Sequence, residues 1–428
     1  MVEPVAAPPA SAGRMGGLVR SLGWVTVGTL LANLLAYAVQ VPASRVLGPD
    51  GFGEFSVLNA AMLIASVPAL ALQSVVAREV VRGTDRRRLW RLIGMVFLAV
   101  AGLSVLGVAA MREIAHTGTA STVAALASAA PLAVIAGGQG FLQGFGRFGL
   151  LGGVLAGVGV LRSMPVVAAV YAGADATGAL VAGTAGTMVA AVVVAAVVGG
   201  VTAAEQRSGA GFGHGRPAVS LLDVLAASGV QFVMIVAVSV DLLLSRSVLS
   251  HEEAGVYALG AVATKAAFWL PQAVGVVVYP RLADPTASSN ALRKAIGVLA
   301  AIGAATTLVA GIAGPLVPIV ISNDYRPVAG LMWLFALAGA LLAVLQVMLL
   351  AAIAQNRARG ALPALVILIG EVIIIVTVVN TVVELAAVAA VSAACAVVAT
   401  GLFGVRIFGW TGQRAPDRKA AEAPQASR

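Results

Sequence analysis

Charge is scarce in this chain. Asp, Glu, Lys and Arg make up 11% of its 428 residues, against roughly a quarter in soluble domains. Cysteine is scarcer still: Cys395 stands alone, which excludes an internal disulfide. His116, His214 and His251 are scattered, so no metal-ligand spacing exists, and neither a metal nor an organic cofactor is expected. No Walker motif and no nucleophile–base constellation is present. Long polar stretches are also missing between the apolar runs, which leaves no room for a catalytic domain outside a membrane. The chain therefore reads as a non-enzyme. Acid is absent altogether from the apolar parts of the first six hydrophobic runs.

What is abundant is apolar surface. The chain is 60% hydrophobic with a mean hydropathy of +0.99, the balance of an integral membrane protein. At ~20 apolar residues per span, twelve helices are expected, at 22–45, 54–77, 90–111, 120–143, 148–171, 178–201, 221–247, 254–279, 294–320, 328–353, 361–380 and 383–406. The fold class is an all-α polytopic membrane protein of two pseudo-symmetric six-helix lobes. Residues 1–20 read as a disordered cytoplasmic tail, 21–201 as the N-lobe, 202–220 as a polar, glycine-rich linker, 221–408 as the C-lobe and 409–428 as a second cytoplasmic tail. The run from Leu22 is too long for a signal-peptide core and is read as a retained first helix. Pro42, Pro68, Pro131, Pro165 and Pro271 are expected to kink or locally unwind their helices.

The formal charge of +9 is a matter of topology. With the N-terminus inside, 21 of the 27 Lys and Arg fall in segments expected to be cytoplasmic, including Arg78, Arg82, Arg86, Arg87, Arg88 and Arg91. Only Arg45, Arg112, Arg246 and Arg326 fall at outer ends, and Arg162 and Lys265 lie within helices. That asymmetry follows the positive-inside rule with both termini cytoplasmic. It calls for no nucleic-acid partner.

The stretch VDLLLSRSVLSHEEAGVYALGAVATKAAFWLPQAVGVVVYPRLAD, residues 240–284, has an echo in RVLGPDGFGEFSVLNA, residues 45–60. An offset of 202 pairs Val46 with Val248, Leu47 with Leu249, Asp50 with Glu252, Gly53 with Gly255 and Phe55 with Tyr257. One residue more pairs Pro68 with Pro271 and Arg78 with Arg281. A helix–turn–kinked-helix unit present twice points to an internally duplicated transporter. Pro68 and Pro271 are its expected hinges. Gln143–Arg147 and Gln355–Arg359 repeat a second pattern at the ends of helices four and ten.

Four ionisable groups lie inside apolar runs: Arg162, Asp241, Lys265 and Glu371. Each central charge costs at least ~2.5–3.5 kcal/mol on insertion scales, so each should face the bundle interior or a watery cavity. Lys265 has two acids in its own lobe, and a structural pair with Asp241 or Glu371 is one reading of it. Arg162 has no acid in the spans of its lobe. It must snorkel, pair across lobes or meet an anion, and a guanidinium suits phosphate well.

SRVLGPDGFGEFSVLNA (44–60), GFLQGFGRFG (140–149), and 240–271 with the later PRLAD (280–284) resemble the polysaccharide-flippase branch of the multidrug/oligosaccharidyl-lipid/polysaccharide exporter superfamily. The resemblance covers most of the chain. It implies two MATE-like six-helix lobes, alternating access, and export of a polyprenyl-pyrophosphate-linked oligosaccharide for surface polysaccharide synthesis. It also implies a bacterial cytoplasmic membrane, with a polysaccharide polymerase and glycosyltransferases as partners beside the bilayer and the lipid-linked substrate. On that reading Arg162 and Lys265 bind the pyrophosphate, Arg45 is an outer-side contact, and Asp241 or Glu371 couples an ion. A drug or organic-cation antiporter of the same fold is the rival. A membrane glycosyltransferase or polymerase is disfavoured by the short loops.

Overall fold

The computed structural model describes residues 12–207, 220–270, 288–354 and 361–408, and the structural statements below concern those residues. The chain divides into two compact units, Met1–Gln231 (the N-unit) and Phe232–Arg428 (the C-unit). Nine helices among the described residues are long and apolar enough to cross a membrane, with Leu362–Val378 a shorter apolar helix beside them. The protein is a polytopic all-helical membrane protein, as the composition demands.

The N-unit is built from α1 (Ala12–Ala38), α2 (Gln40–Ala65), α3 (Val67–Val81), α4 (Arg86–Ile114), α5 (Thr119–Ala127), α6 (Pro131–Gly144), α7 (Phe148–Tyr171) and α8 (Ala176–Arg207). Helices stand at all six places expected there. The run Gly23–Val81 holds the first two, because α2 is broken internally at Gly48, whose φ of 66° and ψ of 177° are non-helical. That conformation is all but closed to a residue with a Cβ. Pro49 follows, where a missing N–H costs nothing at the start of a new helical segment. A second break at Ser66 separates α2 from α3 and puts Pro68 in the first turn of α3.

Small residues bring the N-unit helices together. α1 meets α7 where Gly28 faces Gly152, and a methyl at either glycine would overlap backbone of the other helix. Such close approach replaces the hydrophobic effect as the source of helix association where lipid is the solvent. Polar ties then anchor the helix ends. Glu54 reads as a carboxylate at its own helix start, but it reaches across to accept from the Gly118 N–H at 2.8 Å and the Ser121 hydroxyl, tying α2 to the start of α5. Glu79, 2% exposed, takes Arg82 at 2.8 Å and Thr84 at 2.7 Å and closes the turn into α4.

α9 (Leu221–Ala237) contains the division between the units, and the C-unit continues with α10 (Val240–Val248), α11 (His251–Trp269), α12 (Ser288–Ala313), two short helices α13 (Val317–Val320) and α14 (Arg326–Ala329), α15 (Met332–Ala354), α16 (Leu362–Val378) and α17 (Val382–Phe408). The corner between α10 and α11 falls at Ser250, offset from Gly48 by the same 202 residues as the sequence echo. Here the chain turns by capping. The Ser250 hydroxyl accepts from the Glu253 N–H, and the Glu253 carboxylate accepts from the Ser250 N–H. Pro271, Arg281, Gln355 and Arg359 lie outside the described residues.

Candidate functional site

A cavity of about 450 Å³ opens inside the N-unit, walled by α1, α2, α3, α5, α6, α7 and α8. A helix break makes room for it, the Ser128–Ala130 turn, which ends α5 and lets α6 begin at Pro131. A broken helix leaves carbonyls without their i+4 donors. The wall supplies a substitute: Thr184 on α8 donates to the Ala124 carbonyl at 2.5 Å.

Arg162 on α7 lines this cavity, half-buried, and forms no hydrogen bond or ion pair with any described residue. It is the one charged residue in the lining. The local sequence explains its placement. Three residues later Pro165 has no N–H, which frees the Leu161 carbonyl from the helix ladder. Gly186 of α8 packs so tightly on that carbonyl that a methyl there would overlap it. α7 and α8 are thereby clamped together one residue from Arg162.

The rest of the polar lining is neutral: Asn33, Gln40, Asn59, Ser128, Gln139, Ser163, Thr184 and Thr187. Most hydroxyls there are already used on backbone, Ser128 on the Ala125 carbonyl at 2.6 Å and Thr187 on the Gly183 carbonyl at 2.8 Å. The cavity is therefore cationic, with no carboxylate to balance it. Polar groups other than Arg162 escaped a reading of the sequence centred on charges. Single amides within apolar helices were the available signal.

Arg45 is not part of this wall. It is exposed on α2, three residues before the Gly48 break. Pro68 lies in the first turn of α3 and Leu70, two residues on, lines the cavity. Of the repeated Gln–Arg pattern, Gln143 accepts from Gln73 at 3.2 Å, and Arg147 pairs with Glu205, its Nε at 3.1 Å. The first ties the end of α6 to the middle of α3, and the second ties the start of α7 to the end of α8.

The C-unit collects the remaining intramembrane charges. Asp241, in the first turn of α10 and 4% exposed, accepts from the Tyr257 hydroxyl of α11 at 2.5 Å. Its other oxygen, Oδ1, is buried without a partner. Tyr257 is fully buried and meets Phe335 of α15 edge-on, ring centres 5.0 Å apart. Lys265, two turns further along α11, lies within electrostatic reach of Asp241. Among the described residues it makes no ion pair with either acid. Glu371, buried on α16, acts on the same acid–tyrosine pair through space. Asp241 thus has a tyrosine where the sequence suggested a lysine. Tyr257 is the residue the echo pairs with Phe55, so its hydroxyl is the atom by which the two repeats differ there. Among the described residues no group of three or more His, Cys, Asp or Glu could hold a metal ion.

No protein-family model matches the chain, and no curated protein matches its sequence. Solved structures do match in fold. Lipid II flippase MurJ in an inward closed conformation superposes with a TM-score of 0.64 at 10% identity, over 89% of this chain and 87% of that one. The eukaryotic MATE transporter AtDTX14 gives 0.60 at 13% identity, over 92% and 96%. An inward-facing multidrug resistance MATE family transporter of the MOP superfamily gives 0.60 at 15% identity, over 92% and 100%. At such identity the likeness is one of fold. The chain is a multi-pass membrane protein with the architecture of MATE transporters and of MurJ.

Proposed function

We propose that the protein flips a polyprenyl-pyrophosphate-linked oligosaccharide across a bacterial cytoplasmic membrane by alternating access, for cell-surface polysaccharide synthesis. The observation that carries this reading is the N-unit cavity, whose single charged lining residue is an unpartnered Arg162 with no acid in the wall. A guanidinium offers five donors in a planar fork that fits phosphate oxygens. In a site shielded from water such contacts are stronger than at a surface. Lys265 is the second cation we assign to the pyrophosphate, and Asp241 or Glu371 is the group that would carry a coupling ion. The membrane potential supplies ~2.3 kcal/mol per charge per 100 mV to such a step. Both termini are assigned to the cytoplasm on the arginine asymmetry, beside a polymerase and glycosyltransferases that consume and supply the substrate.

An organic-cation antiporter is the second reading, and the buried Asp241 with Glu371 is what favours it. One assay separates the two. In proteoliposomes, wild-type protein is expected to translocate a fluorescent undecaprenyl-pyrophosphate saccharide and leave ethidium behind. Arg162→Gln should reduce that flipping by about 30- to 100-fold, the loss of two or so kcal/mol of charge-assisted bonding, without lowering the melting temperature. Ethidium transport that survives Arg162→Gln and fails in Asp241→Asn would replace the flippase by the antiporter.

A further inference from the structure

The N-unit cavity holds more hydrogen-bonding capacity than its arginine accounts for. Four amides line it: Asn33 on α1, Gln40 and Asn59 on α2, and Gln139 on α6. Gln139 is 8% exposed and makes no hydrogen bond with any described residue. Gln40 Oε1 is buried with no donor. Asn59 spends its Nδ2 on the Phe55 carbonyl at 2.8 Å and keeps Oδ1 free. Asn33 has no partner among the described residues. Buried polar groups are nearly always satisfied, so the buried Gln139 amide and the buried Gln40 Oε1 on one cavity need a ligand or water to complete them, with the half-buried Asn59 and the exposed Asn33 beside them. The contrast with the hydroxyls of the same wall sharpens the point, since three of those are already bonded to backbone.

We infer that these amides form a saccharide subsite next to Arg162, one that contacts the first sugar while the arginine holds the phosphate. An amide has both donors and acceptors, and so does each hydroxyl of a sugar ring. An ionised pyrophosphate diester only accepts and would leave the amide oxygens idle. An organic cation needs a carboxylate, and none lines the cavity. A neutral polyol joined to an anion is the ligand chemistry that uses both kinds of group in the wall. The volume of about 450 Å³ lies within the ~300–1,000 Å³ usual for small-molecule sites. This inference rests on the proposed cargo being a glycosyl phosphate, and its test keeps the two apart.

The test uses the full chain in nanodiscs and measures binding of glucose 1-phosphate, N-acetylglucosamine 1-phosphate and inorganic phosphate. Wild-type protein is expected to bind at least one sugar phosphate about tenfold or more tightly than inorganic phosphate, the worth of one or two good hydrogen bonds. Gln139→Leu, which keeps the volume and removes the amide, should cut that preference by about tenfold and leave phosphate affinity unchanged. Gln40→Leu should do the same, and serves if Gln139→Leu melts early. Arg162→Gln should weaken all three ligands together. A wild-type preference near unity, or a preference untouched in both leucine variants, overturns the subsite and spares the proposed function. Failure of wild type to bind any of the three anions overturns both.

Discussion

The two units share a frame and differ in what they bury. Each bends its first membrane segment, turns a sharp corner, and sends a second helix back from it. In the N-unit that frame encloses an arginine and idle amides with no acid in the wall. In the C-unit it encloses an acid bonded to a tyrosine, with a lysine and a second acid nearby. The echo locates the divergence. Asp241 is offset by 202 from Val39, which lines the N-unit cavity, and Tyr257 is offset likewise from Phe55. The two copies of the echoed pattern thus differ at equivalent places, one lining a cavity whose one charged group is an arginine and the other holding a buried acid–tyrosine pair. A fold shared with both a lipid II flippase and multidrug transporters is neutral between cargoes. The side chains decide between them.

The strongest way to break this contrast is to give the N-unit the acid it lacks. Val39→Asp introduces a carboxylate into the wall of the Arg162 cavity. Since like charges forced together cost several kcal/mol, flipping of an anionic lipid should fall by about 100-fold or more, while Val39→Asn loses far less. Comparable flipping by the two variants, in proteoliposomes of equal protein content, would remove the anion from that cavity.

Next in size is the acid–tyrosine pair. Tyr257→Phe takes the tyrosine hydrogen bond from a buried carboxyl group and should destabilise the protein by about 2–3 kcal/mol, read as a lower melting temperature in detergent. Adding Asp241→Asn to Tyr257→Phe should recover part of that loss, because the orphaned charge is then gone. Strict additivity of the two substitutions would mean that the bond is energetically silent. Lys265→Gln, with no ion pair within 4.0 Å among the described residues, should move the melting temperature much less.

The smallest effects come from the matched corners. Gly48→Ser places a Cβ at a φ of 66° with no crowding around it, so the backbone strain alone, about 1–2 kcal/mol, should appear in the melt. Ser250→Gly removes the cap from a corner with ordinary backbone angles and should cost only a few tenths of a kcal/mol. If the two substitutions cost the same, the corners are held by one mechanism and the distinction drawn between them is wrong.

Much of this molecule was legible in its sequence. Class, the helix places among the described residues, the repeated turn with its offset of 202, and the burial of Asp241 and Glu371 all follow from properties summed locally. Hydrophobicity over some twenty residues sets a span whatever surrounds it, and glycine, proline or a capping pair breaks a helix on the spot. The choice of partners was not legible. That Asp241 takes Tyr257 and leaves Lys265 without an ion pair, that Arg45 stays on the surface, and that Gln40, Asn59 and Gln139 line one cavity with Arg162 depend on which faces of separate helices meet. Those faces are set by how closely backbones approach, at contacts such as Gly28 on Gly152 and Gly186 on the Leu161 carbonyl, between residues far apart in the chain. A glycine announces that close approach is allowed. Only the packed bundle decides against what.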